Sequence, residues 1–389
     1  MNASDLLLAQ WERHVKELFP QLHRYQHASI AFAVQSLVQS GTAVMQRVAE
    51  TAWETLSRPA KMVSHERRLQ RFVANERIEV ETLWFQFLET VLPFWQGKPV
   101  TLILDLTPYT QEATIVYVGL LVHSRTLPLL WCVMPQQDAW EQGLWDVLDP
   151  LVTRVARLLE TSTCTLLADR GLTSLALLKL CEKHGWHYVL RIKQAEWMRR
   201  QFRHVHRLWE QGQQVIKQEG EHWYGKVKLW QEHEYGCWLS AAWQPGHQEA
   251  WFLISDRKAG PARLHEYAQR MRVESSFQDH KSRGCFIEHS HFRHRDHLHR
   301  WLFVVYLAQW WTAHLAGSCI HHGQREQLDR ADRRDKGVFR LGRLWLKAML
   351  KKANHALDAT TLSRVKAQLA NCLLFSHRHH RLYFSIYLR

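Results

Sequence analysis

Val100-Thr101-Leu102-Ile103-Leu104-Asp105-Leu106 is a short, nearly continuous apolar run interrupted by one acid. A strand covered on both faces reads this way, because neither face can be polar. Outward from it the chain keeps a sheet texture. Ala113–His123 and Leu127–Met134 are two further β-rich runs, separated by Ser124-Arg125-Thr126. Trp140–Glu160 carries helical periodicity. Thr163–Leu167 is a second buried strand and ends in Ala168-Asp169-Arg170-Gly171, where the glycine is expected to free the chain to turn. Ser174–His184 reads as helix and His187–Ile192 as strand. The order β-β-β-α-β-α-β predicts an α/β sheet with an antiparallel opening and parallel later strands.

The flanks differ. Residues 1–95 read as all-helical, with apolar residues at three- and four-residue spacing, one glycine (Gly41) and three prolines. Within them, Ser64-His65-Glu66-Arg67-Arg68-Leu69-Gln70-Arg71-Phe72 has a helix start followed by three arginines. Arg67, Arg68 and Arg71 can grip phosphates, and a solvated helix face explains the same spacing equally well. Residues 194–256 are rich in Trp, Gln, Glu and Gly, with short alternating runs at Val227–Trp230, Gly236–Trp243 and Ala250–Ile254, so a β insertion is expected there. Helix resumes near Ala262. The expected division is a helical N-terminal domain over 1–95, a core over 96–193 and 257–300, the insertion over 194–256 and a basic helical region over 301–389.

Composition narrows the function class. With 51 Lys plus Arg against 37 Asp plus Glu, the net charge is +14. Basic and acidic residues balance through residue 256, and the excess sits in 257–389, with 25 basic and 10 acidic residues. A basic block on an otherwise neutral protein points to a polyanion, nucleic acid first. Seven scattered cysteines without a C-x-x-C pair argue against a disulfide scaffold and favour a reducing, cytoplasmic setting. The start has no basic n-region, so a signal peptide is not expected. The apolar run 298–317 contains Arg300, Gln309 and His314, so it reads as a buried helix rather than a membrane span.

An aspartate in an apolar strand is costly unless paired or bound to metal. Asp105 and Asp169 sit in or at the end of two such strands, and carboxylates at neighbouring strand ends can converge on one divalent ion. Oxygen ligands favour Mg²⁺ or Mn²⁺. Each aspartate alone is more readily a capping or turn residue, and the pair on adjacent central strands reverses that. A helix expected over 262–281 carries Tyr267, Arg270, Glu274 and Lys281 within an arc of about 60°. Arg272 falls off that arc. An i,i+4 salt-bridge ladder explains part of the stripe.

These residues match Y-x2-R-x3-E-x6-K. With Leu104-Asp105-Leu106-Thr107 and Ala168-Asp169-Arg170-Gly171 upstream, the chain resembles the insertion-sequence-4 family of DDE transposases. The resemblance covers most of the chain, and it implies an RNase H-like core interrupted by a β insertion. It implies two Mg²⁺ ions, with Mn²⁺ as substitute, held by Asp105, Asp169 and Glu274, which carry the phosphoryl transfer. It places Tyr267, Arg270 and Lys281 on phosphates beside the scissile bond. Some relatives carry Trp after the motif arginine; here Met271 stands there. The implied partners are duplex DNA, both inverted-repeat ends and target, and a second copy in the DNA complex, in a prokaryotic cytoplasm at the nucleoid. A DNA-binding protein with an inactive core is the rival reading.

Three further features are expected to be structural or basic surface. Tryptophan is abundant, at 19 residues, and packing is the expected role of Trp223, Trp230, Trp238, Trp243 and Trp251, although an exposed one can stack on a base. Five histidines between Glu288 and Arg300 are interleaved with arginines and read as basic surface rather than a zinc site. The stretches 330–343 and 347–352 read the same way, or as a partner-facing surface.

Overall fold

The computed structural model describes residues 2–57, 60–109, 113–123, 125–135, 143–201, 208–280, 285–334 and 336–355, with residues 360, 363 and 367. The run that opens the α/β region forms β1 (Pro99–Pro108), and its Leu102, Ile103 and Leu104 are buried in the middle of a sheet. β2 (Ala113–Val122) and β3 (Arg125–Pro135) follow it as antiparallel neighbours. β4 (Thr163–Ala168) then returns parallel to β1 on its other side, and β5 (His187–Arg191) lies parallel to β4. This is the expected β-β-β-α-β-α-β order, so the fold is mixed α/β.

The strands of 194–256 do not form a sheet of their own. β6 (Trp197–Arg200), β7 (Glu210–Gln211), β8 (His222–Leu229), β9 (Tyr235–Ala242) and β10 (Trp251–Ser255) extend the first sheet, because β10 pairs antiparallel with β5 at Leu253 and Arg191. The described strands form one ten-stranded sheet in the order β3-β2-β1-β4-β5-β10-β9-β8-β6-β7.

Five helices precede the sheet: α1 (Ala3–Leu18), α2 (Arg24–Ser40), α3 (Met45–Thr55), α4 (Met62–Val73) and α5 (Val80–Val91). α6 (Leu144–Leu158) connects β3 to β4, and α7 (Leu175–Lys183), capped by the Ser174 hydroxyl, connects β4 to β5. A single turn, α8 (Gly212–Val215), lies among the later strands. After the sheet come α9 (Pro261–Ala268), α10 (Arg272–His280), α11 (Arg295–His321) and α12 (Val338–Asn354). The helix expected over 262–281 is therefore in two pieces, joined by a 3₁₀ turn at Gln269–Met271.

α11 holds the two halves together. It is buried along most of its length, packing against β3, α2 and α12. Its Trp311 meets Trp11 of α1 edge-on at 4.7 Å, and its Trp310 donates its indole N–H to the Pro128 carbonyl at 2.8 Å. Trp84 of α5 likewise donates to the Leu129 carbonyl at 2.6 Å and packs edge-on against Trp131. Trp310 and Trp84 thus satisfy their one polar atom on β3 while filling the helix–sheet interface. The run 298–317 is thus a core helix, and no single described helix is long and apolar enough to cross a membrane.

Candidate active site

The sheet register brings the acids together. Leu104 of β1 pairs with Ala168 of β4, and Ala168 pairs with Leu190 of β5. Asp105, Asp169 and Arg191 each stand one residue further on. They form a row across three parallel strands about 4.8 Å apart, at the carboxyl ends where open α/β sheets bind ligands. Gly171 is not in the left-handed region, and a Cβ there would meet nothing within 4 Å. The turn after Asp169 therefore does not require a glycine at position 171, contrary to the expectation from Asp169-Arg170-Gly171.

The third acid arrives from α9 and α10. Gly260 (φ +154°) and Pro261 start α9, and Arg257 clips it by an ion pair to Glu266 at 2.9 Å. α10 docks on the sheet through buried Ser276, whose hydroxyl accepts the Thr126 N–H at 2.8 Å. The 3₁₀ turn between the helices carries Arg270 inward, where it is 7% exposed. Its guanidinium donates to Asp105 at 2.7 Å and to Glu274 at 3.3 Å. The Tyr267 hydroxyl donates to Asp169 at 2.9 Å. Asp169 also faces Arg191 at 3.8 Å. Exposure of the carboxyl side chains rises from 16% at Asp105 through 34% at Asp169 to 49% at Glu274, so the site opens to solvent on the Glu274 side.

Electrostatics separate the two aspartates. Burial pushes the Asp105 carboxyl up to about 6; Arg270 and the Leu106 N–H oppose the rise, while Asp169 and Glu274 add to it. Burial also acts to raise Asp169. The Arg170 backbone N–H, Arg270, the Tyr267 hydroxyl and Arg191 overcome it and hold that carboxyl below its usual range. Burial disfavours the Arg270 cation, and the groups around it, Tyr267 and the three acids, outweigh that and keep it charged.

Of the residues singled out in the sequence, Asp105, Asp169, Tyr267, Arg270 and Glu274 share this network. Lys281 lies outside the described residues. Tyr267 and Arg270 bond to the acids in this structure, not to the solvent-facing side of a helix. Arg67 and Arg71 are exposed on α4, whereas Arg68 turns inward and lies over the Phe32 ring at 4.4 Å; no described contact links these arginines to the acids. Arg272, off the motif arc, does not idle on the surface: it donates to the His123 carbonyl at the β2–β3 turn. Glu249 carries no mark in the local pattern, yet it pairs with Arg191 at 2.6 Å and with Arg170 at 2.8 Å. Trp251, expected to pack, does so here: its ring supports that of Tyr267 edge-on at 5.1 Å. Arg191 was readable only once β5 was known to lie beside β4.

Comparison with known families bears on this arrangement. The family model described as "Transposase DDE domain" matches residues 111–311, which is more than half of the chain. The chain belongs to the DDE transposase family. Within the DDE domain the match runs from the start of β2 into α11, taking in Asp169, Tyr267, Arg270 and Glu274, and begins six residues after Asp105. Among curated proteins none matches the chain.

Asp105, Asp169 and Glu274 offer hard oxygen donors of the kind that suits Mg²⁺ or Mn²⁺. Burial, with a smaller contribution from Asp169 and Glu274, raises the Asp105 carboxyl, and a bound cation would offset that cost. Among the described residues no three His, Cys, Asp or Glu side chains yet stand close enough to share one ion. Between Asp105 and Glu274 the Arg270 guanidinium takes the place of the positive charge. No zinc-like cluster arises among the described histidines either.

Proposed function

We propose that this protein is an insertion-sequence transposase of the insertion-sequence-4 type. It cleaves the ends of its element and joins them to target DNA, cut-and-paste, on an RNase H-like core spanning 96–193 and 257–300. The observation that carries the reading is that Asp105 and Glu274 share the Arg270 guanidinium while the strand register sets Asp169 beside Asp105 at the carboxyl ends of parallel strands.

Asp105, Asp169 and Glu274 would hold two Mg²⁺ ions, or Mn²⁺ in their place. When bound, these ions activate the attacking water or 3′-OH and stabilise the leaving oxygen of an in-line displacement. The protein's own groups do the rest. Asp105 gives up its proton. Tyr267 and Arg191 fix the Asp169 carboxylate so that it presents its oxygens without reorganising. Arg270 turns from the carboxylates to the phosphates flanking the scissile bond, where its planar fork suits bidentate contact. Lys281, seven residues after Glu274 in the sequence, serves those phosphates. Arg67 and Arg71 on α4, together with the basic region 301–389, contact the DNA backbone beyond the site. Two copies, one per element end, assemble on the DNA at the nucleoid.

The test is cleavage by the full chain of duplexes carrying the DNA that flanks its coding sequence. Nicks at the ends in Mg²⁺ and Mn²⁺, and none in Ca²⁺ or chelator, support the reading. Cleavage in chelator contradicts the metal mechanism. Specific end binding without cleavage in any metal establishes the inactive-core reading instead.

A further inference from the structure

Beside Asp169 stands a cation that does not close on it. Arg191 ends β5, one residue beyond Leu190, the partner of Ala168. Its side chain is 12% exposed, and it lies one strand, about 4.8 Å, from Asp169. An arginine fork seated on a carboxylate makes bonds of about 2.8 Å. Arg270 shows that closed form on Asp105, at 2.7 Å. Arg191 Nη1 stops 3.8 Å from Asp169 Oδ1, beyond hydrogen-bond reach.

Glu249 accounts for the gap. Its Oε1 accepts from Arg191 Nη2 at 2.6 Å. Its Oε2 accepts from Arg170 at 2.8 Å and from the Gln194 amide at 3.3 Å, so the carboxylate is itself fixed. The Arg191 backbone is pinned as well. Its carbonyl accepts the Thr173 hydroxyl at 2.7 Å, and Leu253 of β10 pairs with it. Only the guanidinium is left to choose between two acids, and it takes Glu249.

The choice decides what Asp169 can bind. Tyr267 already bonds to Asp169 Oδ1. A planar fork closing on the same carboxylate would cover the oxygens that a divalent ion needs. We infer that Glu249 is a positioning residue that holds the Arg191 guanidinium off Asp169 and so keeps that carboxylate open to metal. The inference rests on the reading of Asp169 as a metal ligand and adds to it a residue that touches neither metal nor DNA.

The test is a double-mutant cycle read by Mn²⁺ binding to the full chain, with the melting temperature in chelator alongside. Glu249→Gln is nearly isosteric and partly exposed; it should weaken Mn²⁺ by about 10- to 100-fold, the usual cost of losing a group that orients a ligand. Glu249→Asp, which keeps the anion, should recover most of that loss. In the Arg191→Gln background the effect of Glu249→Gln should all but vanish, because no fork remains to close. In the Arg170→Gln background it should persist. A general loss of negative charge, or a structural tie between β10 and β5, predicts instead the same effect of Glu249→Gln whether or not Arg191 is present. That result, or unchanged Mn²⁺ binding in Glu249→Gln, overturns the inference alone. No Mn²⁺ binding by the unmodified protein, or binding that Asp169→Ala leaves intact, overturns the metal reading and this inference with it.

Discussion

The Arg270 guanidinium stands 2.7 Å from the Asp105 carboxylate while also reaching Glu274 at 3.3 Å, so one cation spans an acid of β1 and an acid of α10. It holds in a single network what the sheet and the helix present separately. Replacing it by Gln leaves carboxylates facing one another. In chelator, Arg270→Gln should lose about 3 kcal/mol of stability, the cost of removing one partner of a buried pair. Added Mn²⁺ should then raise its melting temperature more than it raises that of the unmodified protein, because the acids have lost their internal cation. An equal rise in both proteins would show that Arg270 does not compete for the carboxylates.

Asp105 makes stability depend on pH in a stated direction. Its carboxyl is raised in the folded protein from 3.8 to about 6, so the folded state holds the proton more tightly than the unfolded chain. This group's contribution is fully present below about pH 4 and is lost as pH rises through about 6. The stability of the protein minus that of Asp105→Asn, in chelator, should fall by about 2–3 kcal/mol across that window. Protection by Mn²⁺ should grow over the same window, since binding expels the proton. Denaturant titrations at pH 4, 5, 6 and 7 read both; a flat difference would refute the assignment of the raised carboxyl.

Tyr267 combines a packed ring with a hydroxyl bonded to Asp169. Tyr267→Phe should cost about 1 kcal/mol and let the Asp169 carboxyl climb, whereas Tyr267→Ala should cost about 3–5 kcal/mol by emptying the space beside Trp251. Equal losses in the two variants would mean that the ring adds nothing.

Arg272 anchors the 3₁₀–α10 junction to the β2–β3 turn through the His123 carbonyl. Arg272→Ala should lower stability by about 1 kcal/mol. Its cleavage, measured well below the melting temperature, should stay within a few-fold of normal, whereas Arg270→Ala should fall by about tenfold or more. Comparable losses of cleavage in the two would end the distinction between them.

Much of this was legible beforehand because it follows from local pattern. Apolar runs bounded by turns marked β1, β4 and β5, and two acids at strand ends marked the site. Tertiary relations stayed hidden. A uniform 100° helix placed Tyr267, Arg270 and Glu274 on one face, yet the 3₁₀ turn at Gln269–Met271, which periodicity does not register, is what carries Arg270 inward. Glu249 sits before β10, 80 residues from Asp169 along the chain. Only the antiparallel return of β10 onto β5 brings it to Arg191. Likewise the stretch 330–343 reads as basic surface, but Arg343 turns inward onto the Gly41 carbonyl, a contact that only the fold of α12 onto α2 creates.

The central claim is that Asp105, Asp169 and Glu274 act in the chemistry while other groups carry affinity for DNA. The most direct measurement sets end cleavage beside end binding for Asp105→Ala, Asp169→Ala and Glu274→Ala, on duplexes carrying the flanking DNA, in Mg²⁺. Each variant should cleave nothing detectable while binding the ends within a few-fold of the unmodified protein. Retained cleavage in any of the three, or loss of binding that matches the loss of cleavage in all of them, would contradict the account.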